Sequence, residues 1–471
     1  MKKRLFVAIG LLAYGVCAQE TKPVPLNQRQ ARVSPEWLTQ GVMYQVWLRG
    51  FTTEGTLKAA TLRLPKVAEL GASIVYLSPV CLQDDDMRQE FWSERQKKSG
   101  LNNPRNPYRI KDYNAVDPEY GTEADLRDFI AEAHRLKLHV LMDLVYFHCG
   151  PTSVLIKDHP DYFKKDKDGK ISTGQWHFPV LDFNSQGLRE HLWNNMAHWI
   201  KDCDVDGFRC DVAGMVPLDF WEQARRRLTP LRSDLVILGE CECPADQLEA
   251  FNLNYNFSWY YATKEVFAHK KTASALRTLW TAMAKQRPQG ARFIRFTDNH
   301  DFAMDTGTNR IDKLWGNAGV SAMMAVNFTL DGVPFLYNGQ EVADTAPQSI
   351  YARWPVDWAN GDTAAGKARF ALCQRLCAMR HSERALALGS VTWLENDAPD
   401  KVLSYMRTLN NESVLTVVNL SGLNVRVQVT APHAPWTADR ALLCEGAKAE
   451  TASEGKQAFA LDGYGFFVGK R

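Results

Sequence analysis

The sequence carries no surplus of charge of either sign: 56 lysines and arginines face 54 aspartates and glutamates over 471 residues. Three of those cations, Lys2, Lys3 and Arg4, crowd the first few positions, so the rest of the chain is close to neutral. A near-neutral surface gives no electrostatic footprint for nucleic acid or an anionic membrane. Long apolar runs are missing too. The stretch Leu5 to Val16 spans 12 residues, against the ~20 a bilayer-crossing helix needs, so no stable membrane insertion is expected. The ten cysteines, at 17, 81, 149, 203, 210, 241, 243, 373, 377 and 444, lack the paired spacing of a zinc site. Cys373 and Cys377 lie one helical turn apart in an apolar segment, where packing explains them. Short-period repeats and low-complexity tracts are absent, which excludes a solenoid or a disordered chain.

What is present begins with an export pattern in residues 1–18. A basic start is followed by the apolar run and a small-residue cleavage site, Val16-Cys17-Ala18, before Gln19. This predicts a soluble periplasmic or extracellular protein. Lipid anchoring through Cys17 is the alternative, and Tyr14-Gly15-Val16 is a poor lipidation box. Residues 19–35, with Pro23, Pro25 and Pro35, read as a flexible leader.

Beyond them, short apolar runs alternate with helical periodicity. Gly41–Trp47, Gly71–Pro79, Leu138–Val145, the run ending at Asp211, Leu235–Glu240, Ala291–Thr297 and Val333–Tyr337 read as strands. Thr61–Leu70, Thr122–Leu136, Leu188–Ile200 and Leu218–Leu228 read as helices between them. Continuous apolar strands are covered on both faces and are therefore parallel. At least seven such units predict an α/β fold, a (β/α)8 TIM barrel over 36–386. Residues 149–187 are polar and turn-rich, too long for a connecting loop, and read as a small inserted domain after the third strand. From 387 to 471 the pattern changes to short β segments, predicting a C-terminal antiparallel β-sandwich domain.

Chemistry-bearing residues collect at the strand ends, where such barrels place their working groups: Asp143 and His148, Arg209 and Asp211, Glu240, then His300 and Asp301. In Gly207-Phe208-Arg209-Cys210-Asp211-Val212-Ala213, strand alternation puts Arg209 and Asp211 on one face and Phe208 and Cys210 on the other. Taken alone, that stretch is either an ion pair at a strand end or a carboxylate kept ionised, with a low pKa, as a nucleophile. Asp211, Glu240 and Asp301 come from three strands and converge on one mouth. One ionised and one protonated acid is what glycoside hydrolysis needs, with Asp211 attacking the anomeric carbon and Glu240 protonating the leaving oxygen. A retaining pair stands ~5–5.5 Å apart.

These stretches in order resemble the α-amylase family, the family 13 glycoside hydrolases. Gly71–Pro79 is similar to its second-strand motif, Asp143-Leu144-Val145-Tyr146-Phe147-His148 to its third, and Gly207–Ala213 to its fourth. Leu238-Gly239-Glu240, Phe296-Thr297-Asp298-Asn299-His300-Asp301 and Gly332–Glu341 are similar to its fifth, seventh and eighth. The resemblance runs from about residue 40 to 470. It implies Asp211 as nucleophile, Glu240 as acid/base and Asp301 as the residue that grips sugar hydroxyls. It further implies that His148 and His300 bind the same sugar, that Tyr108 stacks beneath it, and that Asp143 braces Arg209. The expected substrate is an α-1,4-linked glucan or maltooligosaccharide. A 4-α-glucanotransferase, an α-1,6-active neopullulanase-like enzyme and a non-catalytic sugar-binding homologue are the alternatives.

Three departures sharpen this. Phe147 stands where many members have a calcium-binding asparagine and offers no ligand oxygen, so no metal or other cofactor is expected. Asp166-Lys167-Asp168-Gly169-Lys170 reads as a hairpin turn rather than a calcium loop. Gly214-Met215 replaces the Lys-His pair that follows the nucleophile in endo-acting members, and Val180–Asn184 fits no usual specificity version. Trp176, Trp354 and Trp358 are candidates for stacking on glucose rings.

Overall fold

The computed structural model describes residues 24–303, 310–453 and 455–471; the export segment 1–18 lies outside them. Eight parallel strands make one sheet: β1 (Met43–Val46), β2 (Ile74–Leu77), β3 (His139–Leu144), β4 (Gly207–Cys210), β5 (Val236–Gly239), β6 (Leu253–Asn254), β7 (Ile294–Arg295) and β8 (Val333–Tyr337). Their hydrogen-bonded order is β6-β5-β4-β3-β2-β1-β8-β7. A parallel bridge from Asn254 to Phe293 joins the two edges and closes the barrel. The strands are shorter than their apolar runs, because the run ends turn out into loops.

Alternation sorts the side chains into two cores. Met43, Ile74, Tyr76, Leu141, Val236, Leu238, Leu253, Ile294, Val333 and Phe335 fill the barrel interior. Tyr44, Val75, Val140, Met142, Phe208, Cys210, Ile237 and Leu336 face the surrounding helices. Cys210 is therefore a packing residue, buried on the outer face. Gly207 is obligatory: a Cβ there would stand 2.0 Å from the Val236 carbonyl oxygen.

The helices are α1 (Leu57–Leu70), α2 (Glu123–Arg135), α3 (Gln186–Cys203), α4 (Leu218–Leu228), α5 (Phe257–Phe267), α6 (Ser274–Ala284), α7 (Ile311–Thr329) and α8 (Ala364–Ser382). Helix α1 starts four residues before the apolar periodicity does, because Thr56 caps it by accepting the Ala59 N–H. Helix α2 carries a full capping box between Thr122 and Asp125. Between β5 and β6 the described chain forms only the short turn Asp246–Leu248.

Residues 149–187 fold as a turn-rich excursion with one short helix, Val154–Asp158, and isolated bridges such as Phe163 to Leu181. Asp166–Lys170 is a hairpin turn in which Asp166 accepts the Asp168 and Lys170 N–H groups. The expected flexible leader is tied to the barrel from Arg29 onward, whose carbonyl accepts the Gln289 N–H. Ala31 N–H donates to the Gln289 carbonyl, and the Arg32 guanidinium donates to the Glu249 carbonyl.

The C-terminal strands are β9 (Ser390–Trp393), β10 (Val402–Leu409), β11 (Glu412–Asn419), β12 (Val425–Thr430), β13 (Ala441–Ser453) and β14 (Lys456–Lys470). They form one antiparallel hydrogen-bonded sheet where a sandwich was expected. The reason is the length of β14, which pairs β12 with its first half, β11 with its second and β13 along its other edge. Tyr405 and Arg407 dock this sheet on the end of α7, at the Thr329 hydroxyl and carbonyl.

Candidate active site

Strand register builds the site. Asp143 on β3 pairs with Arg209 on β4, and Cys210 pairs with Gly239 on β5. One step further, Asp211 N–H donates to the Leu144 carbonyl and Glu240 N–H to the Cys210 carbonyl. Asp211 and Glu240 are thus the last ladder rung of adjacent strands, above the inward-facing Arg209. The guanidinium is fully buried. Its Nη1 donates to Asp143 Oδ1 and to Asp211 Oδ1, each at 2.8 Å. Its Nη2 lies 2.9 Å from Glu240 Oε1. Three carboxylates therefore share one cation.

That imbalance governs their protonation. Charges ~5 Å apart in a protein interior repel by roughly 3 kcal/mol, and one guanidinium cannot neutralise three neighbours. Burial first, then Glu240 and Asp143, push the Asp211 carboxyl well above its usual range despite the pull of Arg209. This corrects the expectation that Arg209 alone would hold Asp211 low. Burial, with Asp301 adding to it against Arg209, raises Glu240 to about 7. Asp143 is raised as well, by burial. The cluster titrates as a unit, so a proton on Glu240 removes the leading carboxylate repulsion on Asp211. The Asp211 Oδ1–Arg209 Nη1 bond gives an ionised Asp211 its counter-ion once Glu240 carries the proton.

Asp301 behaves oppositely. Its side chain is 35% exposed. His300, Arg95 and Arg209 outweigh the upward push of burial and hold it below its usual value. Arg95 Nη1 is 3.3 Å from Asp301 Oδ1, and its Nη2 donates to the His300 carbonyl.

A directed relay orders the floor of the mouth. Gln45 Nε2 donates to His300 Nδ1 at 2.8 Å, which leaves His300 Nε2–H to donate to the Tyr108 hydroxyl at 2.7 Å. Tyr108 in turn points its hydroxyl at Asp143 Oδ2, 3.3 Å away, and Tyr76 donates to the same oxygen at 2.7 Å. The His300 ring lies flat on Trp47, with centroids 4.9 Å apart. Burial lowers both His148 and His300 to about 4, so both rings are neutral. His148 Nε2–H donates to the Tyr108 carbonyl at 3.0 Å. Its buried Nδ1 has no protein partner, an acceptor left over on a ring that lines the cavity.

Tyr108, His148, Asp211, Glu240, His300 and Asp301 all line one cavity of about 200 Å³. Asp143 and Arg209 support them from beneath. Trp176 joins the lining; Trp354 and Trp358 do not. The Trp358 ring instead packs against Phe51 and under Arg63, and its indole N–H donates to the Phe51 carbonyl. Sequence reasoning missed Gln45, Trp47, Ser93, Arg95, Phe178 and Tyr351, which reach the site from loops and the barrel interior without a motif. It also missed Val212, whose backbone is left-handed (φ 37°, ψ 42°). That conformation costs a β-branched residue on the order of 1–3 kcal/mol and aims the Val212 N–H at Glu240 Oε2, 2.7 Å away.

Phe147 is buried. Its ring packs edge-on against His148 and Trp176. The nearby loops are instead tied by Asp84, which takes Arg109 Nη2 at 3.2 Å and the Thr152 hydroxyl at 2.8 Å. Among the described residues, no three His, Cys, Asp or Glu side chains are grouped to hold an ion.

The chain is similar to known proteins. The family model for the α-amylase catalytic domain matches residues 31–178 and 170–369, and that for the maltogenic amylase C-terminal domain matches 391–468. The α-amylase MalA of Haloarcula japonica is 26% identical over 454 residues, covering 92% of this chain and 62% of that one. Neopullulanase 2 of Thermoactinomyces vulgaris is 24% identical, covering 87% and 74%. The chain thus spans under two thirds of the first relative's length. Among solved structures, the maltogenic α-amylase AmyB of Thermotoga neapolitana superposes with a TM-score of 0.79 at 26% identity, covering 92% of this chain and 99% of that one. An α-amylase of Lactobacillus plantarum gives 0.77 at 25%, with the same coverage. Matched through both its barrel and its C-terminal sheet, the chain belongs to the α-amylase family of glycoside hydrolases.

Proposed function

We propose that the protein hydrolyses α-glucosidic bonds of starch-type glucans or maltooligosaccharides with retention, through a covalent glycosyl-enzyme. The observation that carries this reading is the sharing of Arg209 by two acids from adjacent strand ends, one of them raised to about 7. In the first step an Asp211 oxygen bonds to the anomeric carbon, the glycosidic C–O bond breaks, and the Glu240 proton passes to the leaving oxygen. In the second, water attacks the same carbon, Glu240 takes its proton, and Asp211 leaves as carboxylate. Asp301, ionised at neutral pH, accepts hydrogen bonds from sugar hydroxyls and favours the positively charged transition state. His148 Nδ1 accepts from a further hydroxyl, and the Tyr108 ring supports the sugar face.

Proton NMR of a maltooligosaccharide digest tests this. The first-formed reducing sugar should be the α anomer; initial β anomer would require an inverting enzyme and remove Asp211 as nucleophile. Running starch, pullulan and maltotriose side by side separates α-1,4 from α-1,6 cleavage and hydrolysis from transfer. The fold works without a structural calcium, on the strength of Phe147 and the Asp84–Arg109 tie. Export is proposed from residues 1–18 alone. Among the relatives, that of Bacillus subtilis is an intracellular maltogenic amylase. A mature protein beginning at Gln19 outside the cytoplasm is the expected result of N-terminal sequencing.

A further inference from the structure

The eight strands close into a ring, so β5 stands opposite β1, and β4 opposite β8. If Glu240 on the β5 end protonates the leaving oxygen, the departing sugar lies on that side. The non-reducing side of the substrate then points across the mouth, toward the loops that follow β2 and β8. Those loops form a wall there. Ser93, Arg95 and Asn106 come from the β2–β3 connection, and Ile350 and Tyr351 from the loop after β8; all five line the cavity.

The wall is stitched together rather than loosely apposed. Ser93 Oγ and the Tyr351 hydroxyl are 3.2 Å apart, and Asn103 Nδ2 donates to the Tyr351 carbonyl at 2.7 Å. Behind them, the buried Arg49 donates to the Ile350 and Arg105 carbonyls at 2.5 and 3.2 Å and pairs with Glu119 at 2.8 Å. Ser93 caps the short helix Glu94–Lys98 that carries Arg95. Arg95 then spans the gap to the β7 end. Its guanidinium contacts Asp301 Oδ1 and the His300 carbonyl, lies 5.9 Å from the Tyr351 ring centroid, and keeps 22% of its side chain exposed. The remaining space, about 200 Å³, falls below the ~300–1,000 Å³ of pockets that hold drug-sized ligands. It suits one sugar ring.

Resting on the glycosidase reading above, we propose that the Arg95–Tyr351 wall ends the cleft after a single glucosyl unit. The enzyme then acts on free non-reducing ends, releasing one glucose at a time from short linear maltooligosaccharides. The Asp301 carboxylate, held beside this wall by Arg95, accepts from the adjacent free hydroxyls of a terminal sugar. In an internal residue one of those hydroxyls carries the next glucose, which would run into Arg95 and Tyr351.

The test uses 4-nitrophenyl α-maltotrioside, free and with its terminal glucose blocked by a 4,6-O-ethylidene group, with products resolved by chromatography. The wild-type enzyme should release glucose from the free substrate and cleave the blocked one at least about 100-fold more slowly. Arg95→Ala should bring that ratio to within roughly tenfold. The ratio is insensitive to a general loss of activity, so it separates a specificity role from a structural one. Equal cleavage of both substrates by the wild type, or an unchanged ratio in Arg95→Ala, overturns the proposal. Should Arg95→Ala fail to fold, the wild-type ratio alone still decides. Cleavage of neither substrate by the wild type instead overturns the glycosidase reading beneath it.

Discussion

Two acids five positions apart, Asp206 and Asp211, flank strand β4 and meet opposite fates. Asp206 sits at the barrel's N-terminal end, 3% exposed, and is surrounded by donors. His134 Nε2 and Arg232 Nη1 each lie 2.8 Å from it, His139 Nδ1 3.2 Å, and the Val140 N–H donates at 2.7 Å. Burial pushes its pKa up, but hydrogen bonds from His134, His139 and Val140 prevail and hold it well below the carboxylate range. At the other end Asp211 shares one guanidinium with two further acids and is pushed up. The floor surrounds this acid with donors, so its charge is fixed and serves stability. The mouth has carboxylates to spare, so its protons are available for chemistry.

The sharpest way to break that contrast is Asp211→Asn. Activity should fall by at least about 10⁴-fold, while removing a repelled carboxylate raises Tm by roughly 1–3 °C. A group with raised folded pKa costs stability at neutral pH and ceases to do so as pH falls, which is why Tm should rise rather than fall. Calorimetry with a steady-state assay checks both, and a retained rate would remove Asp211 from the chemistry. Glu240→Gln should cost about 10²–10⁴ on glucans and far less on α-glucosyl fluoride, whose leaving group needs no proton. In the wild type, kcat/KM should decline as pH rises past about 7, where Glu240 loses its proton. That alkaline limb should vanish in Glu240→Gln.

The floor should respond in reverse. Asp206→Asn leaves its cations facing a neutral amide and should lower stability by about 2–4 kcal/mol, with kcat within a factor of about two. Denaturant titration and the same assay distinguish the outcomes; a large kcat loss at unchanged stability would erase the division between floor and mouth. His134, raised chiefly by its hydrogen bond to Asp206, contributes stability that is full below the unfolded imidazole value of ~6.5. That contribution is lost as pH rises through the higher folded value, so wild-type Tm should ease downward above neutrality and Asp206→Asn should flatten the slope. The smallest effect is expected from chelation, which should move Tm by less than about 1 °C.

Much of this contrast was readable from residue order. Period-two alternation around Arg209 and Asp211 foretold which side chains face the mouth, since a half-barrel position leaves no other pleat. The acids at strand ends followed from apolar runs that stop at them. Other parts had no local signal. Strand β13, Ala441–Ser453, holds four alanines and a single β-branched residue, Thr451, and is made a strand by pairing along the length of β14. Strand β6 has two residues, too few for any pattern. Arg95 and Tyr351 meet only because loops after distant strands are tied through Ser93 and Asn103. The upward shift of Asp211 was misread because Arg209 was counted as its partner, while the fold divides that cation among three acids.

The most direct test of the carboxylate surplus as catalytic machinery is mechanism-based trapping with 5-fluoro-α-glucosyl fluoride, followed by peptic digestion and mass spectrometry. A glucosyl adduct is expected on the peptide containing Asp211, attached to that side chain, with no adduct in Asp211→Asn. Stoichiometric labelling of Glu240, Asp301 or any other residue would contradict it.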